Sequence, residues 1–199
     1  KIISIKNFKN INSNKITKEL FLTIFPELKY IHRLSKLDNL RKDILKYKNF
    51  EFVLSLLLID KTEDCEYFIY KYNLSNKEKD KINLLNSIYS EEPNRDFFKK
   101  ENLTKIVLKY GKENLIDILD FRILTTSKNQ NLILDLKNYF IKFEIPVMPI
   151  KAKDLIEKFN LKEGKLLGLI LKEVEEQWLN NNFKISNSQI EDIIKSKRI

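Results

Sequence analysis

The chain has 199 residues, 43% of them hydrophobic, with 13 Phe and 8 Tyr, which excludes a disordered polypeptide. Only 3 Gly and 4 Pro are present, so tight-turned sheets are disfavoured and an all-α fold, an irregular multi-helix array, is predicted. The net charge of +9 is concentrated in residues 1–50, which hold 12 Lys and Arg against 4 Asp and Glu; a surface that attracts nucleic-acid phosphate and general solubility in a lysine-rich chain are equally consistent with it.

Three segments differ in their pattern of apolar residues. Residues 1–14 alternate Ile with polar residues and are predicted to form an extended lead-in. Residues 15–144 place apolar residues at three- to four-residue spacing and are predicted to form a helical body. Pro146 and Pro149 then interrupt the pattern, because proline and the residue before it avoid the helix interior. Residues 145–199 are predicted to form a smaller helical tail.

The first half of the body contains several helix signals. Thr17 is a candidate cap of the first helix. The face of that helix toward the core is predicted to contain Leu20, Phe21 and Ile24. Residues 50–60 are leucine-rich without alternation, which indicates a helix buried on most sides. Ser75 and Glu78 have the spacing of a capping box, so another helix is predicted to begin there.

The second half of the body is predicted to contain three helices. Gly111 separates two helical patterns that are expected to pair antiparallel, and a longer helix follows over residues 129–143. Asp117 and Asp120 lie one helical turn apart. Two such carboxylates are able to bind a cation, but a solvated helix face is the favoured interpretation.

Cys65, His32 and Trp178 are rare residue types in this chain, and none is assigned a catalytic or metal-binding role. Cys65 has no second cysteine for an internal disulfide, which fits a reducing compartment, and it lies on the predicted inward face of a helix. His32 is a candidate surface residue, and a single histidine excludes metal sites that need two. Trp178 is predicted to lie in the core. No apolar run approaches the roughly 20 residues that cross a bilayer. The protein is therefore expected to be cytoplasmic, without a membrane partner.

The proline-flanked tail carries the most specific pattern. It reads IPVMPI, KAKDLI, EGKLLG and ILKEVEEQWLNNNFK in order. A short helix is predicted over residues 151–160 and a long amphipathic helix from Lys165, after a break at Gly164. Gly168 is predicted to allow close helix packing. Lysines near helix beginnings suit an anion, because free N–H groups and the helix dipole favour negative charge there.

This order of motifs resembles the C-terminal tail of the bacterial class II tRNA nucleotidyltransferases, the CCA-adding enzymes, and the related poly(A) polymerases. The resemblance extends over residues 20–184 and is strongest in the last third. Ala152 and residues 159–161 depart from it, since the family has glycine there. The resemblance implies an all-helical body and tail that hold tRNA or another structured RNA through its shape and phosphates.

The catalytic part of that family is expected to be missing from this sequence. No two aspartates stand one residue apart, so the Asp-x-Asp pair that holds metal in such enzymes is absent. No catalytic residue, metal ligand or cofactor is therefore assigned. Mg²⁺ and nucleoside triphosphates would belong to a catalytic head, and a separately encoded head is a candidate partner.

Two sets of basic residues are candidate contacts to RNA phosphate. The tail lysines are Lys151, Lys153, Lys158, Lys162 and Lys165. The N-terminal basic set is represented by Arg33, Arg41 and Lys42. The predicted function is to position the RNA 3′ end for nucleotide addition by the head. The alternatives are a helical protein-interaction module and an inactive remnant of a split gene.

Overall fold

The computed structural model describes residues 11, 14–39, 49–60, 62, 64–90, 96–181 and 183–197. These residues form α-helices and no strand, which confirms the predicted all-α class. The helices are α1 Lys15–Ile24, α2 Arg33–Asn39, α3 Phe50–Leu58, α4 Asp64–Lys71, α5 Asn76–Ser90, α6 Lys100–Tyr110, α7 Lys112–Thr125, α8 Gln130–Lys142, α9 Ala152–Phe159, α10 Lys165–Asn180 and α11 Asn187–Lys197.

The chain divides into two compact units, Lys1–Phe143 and Glu144–Ile199. The first unit contains α1 to α8 and the second contains α9 to α11. Most of the predicted lead-in, residues 1–10, 12 and 13, lies outside the described residues. Ile11 of that segment is helical and buried, which differs from the extended conformation predicted for it.

Helix α3 is the centre of the first unit. Asn49 caps its beginning, since the Asn49 side-chain oxygen accepts a hydrogen bond from the Phe52 N–H at 3.0 Å. Every residue from Glu51 to Leu58 is buried, because α2, α5 and α7 all pack against the helix. The prediction of a helix buried on most sides is confirmed.

Helix α1 differs from its prediction in cap and in orientation. Asn14, and not Thr17, is the cap: its side-chain oxygen accepts from the N–H groups of Ile16 and Thr17 at 3.0 and 3.2 Å. Leu20 is 61% exposed, and Ile24 is exposed as well, so their placement in the core was wrong. Phe21, the third residue predicted for this face, is buried as expected, and it lies about 60 to 100° around the axis from the other two.

Helix α7 lies between other helices of the first unit and is mostly buried after its first turn. Asp117 and Asp120 are buried at 4% and 2% exposure, so the predicted solvated face was wrong. Lys81 of α5 lies 2.5 Å from an Asp117 carboxylate oxygen, and Lys137 of α8 lies 2.6 Å from Asp120. Burying these carboxylates is tolerable because each meets a lysine from a neighbouring helix.

Candidate nucleic-acid interface

The candidate surface of the second unit consists of helix α9, helix α10 and the loop between them. Helix α9 begins where the Lys151 N–H donates to an Asp154 carboxylate oxygen at 2.8 Å. It ends at Asn160, which adopts a left-handed conformation with φ 52°. Leu155 and Leu161 are buried in the core of this unit together with Ile170 and other apolar residues of α10 and α11. Burial of these side chains leaves the intervening polar residues at the surface.

All five tail lysines are exposed. Lys151 precedes α9, Lys158 lies in its last turn, Lys162 lies in the loop and Lys165 begins α10. With the described residues, none of these four forms an ion pair. Residues 150–165 contain these five lysines and only three acidic residues. The helix, loop and helix therefore carry an excess of positive charge in contact with solvent.

Lys153 differs from the other tail lysines. Its ammonium lies 3.6 Å from a Glu157 carboxylate oxygen one turn away, and both side chains are largely exposed. Such a pair is worth a few tenths of a kcal/mol at most. Lys153 and Lys158 project about 140° apart around α9, since they are five residues apart on a helix. The five lysines thus do not all share one face, and Lys153 is the one that diverges from Lys158.

The beginning of α10 is open to an anion. Gly164 is its N-cap, with φ 149°, and supplies no side chain to accept from the first N–H groups. The first turn contains no acidic residue, and Lys165 is its first residue. The positive end of the helix dipole and the charge of Lys165 therefore both favour an anion at this position. The prediction that Gly168 allows close helix packing was wrong, because a Cβ added there meets nothing within 4 Å.

Arg33, the one described residue of the N-terminal basic set, is not solvated. Arg33 is 6% exposed, and its guanidinium donates to the carbonyl oxygens of Leu56 and Ile59 at 3.0 and 2.7 Å. The guanidinium carbon lies 3.8 Å from the centroid of the Tyr30 ring. The prediction that Arg33 contacts phosphate is corrected, because its guanidinium is enclosed and Nη1 is hydrogen-bonded to carbonyl oxygens at the end of α3. Arg41 and Lys42 lie outside the described residues.

His32, next to Arg33, is exposed as predicted. Partial burial, followed by the nearby charges of Arg33 and Lys36, lowers the pKa of His32 below its ordinary value. The side chain is therefore held in its neutral form more strongly than a free histidine. It contributes little positive charge to this surface near neutral pH.

Within the ranges that the structure describes, no group of three or more His, Cys, Asp or Glu side chains is arranged to hold a metal ion. Among those same residues, no helix combines the length and the apolar character needed to cross a membrane. Trp178 and Cys65 are buried, which confirms their predicted core positions.

Two lysines with structural roles were not singled out from the sequence. Lys81 is one turn before the buried Leu85, and Lys137 is one turn after the buried Ile133. Each therefore stands on the inward edge of its helix, where a charged residue needs a partner. That position in the apolar stripe is the signal that predicts a buried ion pair.

The fold and this surface define an all-α protein of two helical units, with a lysine-rich helix, loop and helix in the C-terminal unit. Residues 48–194 match the family model described as "tRNA nucleotidyltransferase domain 2 putative". The match covers well over half of the chain, and the chain belongs to this family. The resemblance inferred from the tail motifs is thereby confirmed. Neither the curated proteins nor the solved structures contain a match to the chain.

Proposed function

We propose that this chain is the RNA-binding C-terminal part of a tRNA nucleotidyltransferase or poly(A) polymerase. It binds tRNA or another structured RNA and positions the 3′ end for nucleotide addition. Membership of the tRNA nucleotidyltransferase domain 2 family carries the proposal. The exposed tail lysines also support it, because most of them form no ion pair and are able to attract RNA phosphate.

The proposed contacts go to phosphate and not to bases. Double-stranded RNA has a deep major groove that side chains do not read, so proteins recognise its shape, phosphates and 2′-hydroxyls. Lys158, Lys162 and Lys165 follow one another from the end of α9 to the start of α10. Lys151 and Lys153 complete the proposed set, with Lys153 contributing least because of its direction and its Glu157 partner. Arg41 and Lys42 remain a proposed extension, and Arg33 is left out.

Nucleotide addition is assigned to a catalytic head outside these residues. Mg²⁺ and nucleoside triphosphates would bind that head, and this chain would supply affinity for the RNA. On this proposal the chain alone binds tRNA without extending it, and a head chain added to it restores addition. An RNA-processing protein of this kind acts in the cytoplasm.

The test is a tRNA titration at several salt concentrations. The variant Lys158→Ala/Lys162→Ala is compared with Lys128→Ala/Lys195→Ala, which removes the same charge from exposed positions elsewhere. Each lost phosphate contact reduces the slope of log affinity against log salt by about one. We expect the tail variant to lose about two from its slope and the control variant to keep the wild-type slope.

A salt-independent affinity, or equal losses in the two variants, contradicts the proposal. Binding of a protein without salt dependence would favour the alternative of a protein-interaction module. Absence of both activities in a folded chain would favour the inactive remnant.

A further inference from the structure

A groove lined mostly by polar and charged residue types lies in the first unit between α5 and the turn that joins α6 to α7. Its volume is about 760 Å³, which is large enough for a nucleotide. Asn83 and Ser87 of α5 line the groove, together with Tyr110 at the end of α6 and Glu113 near the start of α7. No step of the proposed phosphate binding uses this groove, which lies in the first unit, whereas the tail lysines lie in the second.

Hydrogen bonds connect the residues at the floor of the groove. The Lys81 ammonium donates to an Asp117 carboxylate oxygen and to the Asn114 side-chain oxygen, both at 2.5 Å. The Asn114 side-chain nitrogen donates to the Tyr110 carbonyl oxygen at 2.6 Å. This chain of bonds ties α5 to the α6–α7 turn and fixes the backbone of Tyr110. The pairing with Asp117 also offsets the positive charge of the floor.

The wall of the groove offers an aromatic face. Tyr110 is 39% exposed and lines the groove together with the half-buried Leu84. A flat, apolar ring fits between an aromatic and an aliphatic side chain, and every nucleobase has such a ring. The Lys109 ammonium lies over one face of the Tyr110 ring, 4.9 Å from its centroid, so a stacked base would use the opposite face.

The rim supplies carboxylate oxygens that accept no hydrogen bond from the described residues. Asp80 and Glu113 line the groove, both are exposed, and neither forms an ion pair or a hydrogen bond within those residues. Carboxylates accept hydrogen bonds from exocyclic amino groups such as the N4 amino group of cytosine. Uracil has a carbonyl oxygen at that position, which a carboxylate repels. The rim therefore favours a base that carries an amino group.

We propose that this groove binds an unpaired, amino-bearing base of RNA, with Tyr110 stacking on the ring and Asp80 and Glu113 accepting from its amino group. Cytosine is preferred over uracil, which has the same ring size. The inference rests on the proposed function in that the base belongs to the RNA that the chain binds. It adds a selective contact to RNA binding that otherwise depends only on shape and charge.

The test uses oligocytidine and oligouridine of equal length, which carry the same charge, titrated against the full chain by fluorescence anisotropy. Oligocytidine is expected to bind more tightly. Tyr110→Ala should lower its affinity about tenfold, as for one lost stacking contact, and Tyr110→Phe should retain it. Tyr70→Ala is the matched control, because Tyr70 is 85% exposed on α4 and does not line the groove.

The carboxylates are tested through selectivity. Removing negative charge raises affinity for any oligonucleotide, so the informative quantity is the ratio of the two affinities. In Asp80→Asn/Glu113→Gln that ratio should fall toward one.

Equal binding of the two oligonucleotides, or equal effects of Tyr110→Ala and Tyr70→Ala, overturns the inference. The tRNA salt slope measured with Lys158→Ala/Lys162→Ala then still decides the proposed function. Conversely, oligocytidine selectivity that depends on Tyr110 would persist if the tail lysines proved irrelevant to tRNA binding. The two failures are therefore distinguishable.

Discussion

Replacing Arg33 with methionine tests whether this arginine holds the fold or contacts RNA. Arg33→Met keeps an unbranched side chain in the enclosed site and removes the guanidinium. The carbonyl oxygens of Leu56 and Ile59 then lose the donor that bonds them at 3.0 and 2.7 Å. A buried acceptor left without a partner costs about 1 to 3 kcal/mol.

The net magnitude is smaller than the sum of these losses. Two carbonyl groups give about 2 to 6 kcal/mol, and the lost contact with the Tyr30 ring adds to it. Relief from burying a guanidinium offsets part of this cost. We expect Arg33→Met to lower the free energy of unfolding by about 3 kcal/mol. For a urea dependence of about 2 kcal/mol per molar, the midpoint moves down by about 1.5 M.

The assay is urea unfolding followed by circular dichroism, with Lys36→Met as the control. Lys36 is on the same helix, is half-exposed and has no partner in the described residues. Its replacement should change the free energy of unfolding by no more than about 0.5 kcal/mol. The tRNA salt slope of folded Arg33→Met should equal that of the wild type. Equal midpoints for the two variants, or a reduced salt slope in Arg33→Met, would refute the structural role.

Three further changes have expected outcomes. Asp117→Asn should destabilise the chain by about 3 kcal/mol in urea unfolding, because it leaves the Lys81 ammonium buried without its counter-charge, and adding Lys81→Met should recover part of that loss. Gly111→Ala should cost about 1 to 3 kcal/mol, since Gly111 has φ 86° and ψ 159°, a backbone conformation that is adopted almost only by glycine. Gly168→Ala, in a helix and facing open space, should stabilise by up to about 1 kcal/mol, and equal thermal midpoints for the two variants would contradict this. Burial, followed by the charges of Asp60 and Asp64, raises the pKa of Cys65 to about 12. At pH 8 only about one thiol in ten thousand is then ionised. Iodoacetamide should therefore react far more slowly with Cys65 in the native chain than in the urea-unfolded chain.

Local signals predicted the helices well because they act within a few residues. The Ser75 N–H donates to a Glu78 carboxylate oxygen at 2.7 Å and the Glu78 N–H donates back to the Ser75 hydroxyl at 3.4 Å, which confirms the capping box. Gly111 ends α6, and α10 begins at Lys165 as predicted. The tail motifs led to the correct family for the same reason, since they are contiguous in sequence.

Apart from the cap of α1 and the conformation of Ile11, which are local, the wrong predictions concern what a residue meets across the fold. Leu20 looked like a core residue because it is apolar, and Arg33 looked exposed because it is charged. The periodicity of one helix indicates which residues share a face, but it does not indicate which neighbouring helix covers that face. Helix α7 is covered on nearly all sides, so Asp117 became buried although its helix carries other polar residues.

Composition and local spacing determined that this chain is all-helical, where most of its helices begin and end, and that its tail exposes lysines between two helices. These properties depend on intrinsic backbone preferences and on neighbours one turn away. The tertiary structure alone decided that Arg33 bonds the end of α3 and that Lys81, Asn114 and Tyr110 form one side of a groove. Those side chains are up to some thirty residues apart in sequence, and only the packing of their helices brings them within hydrogen-bond distance.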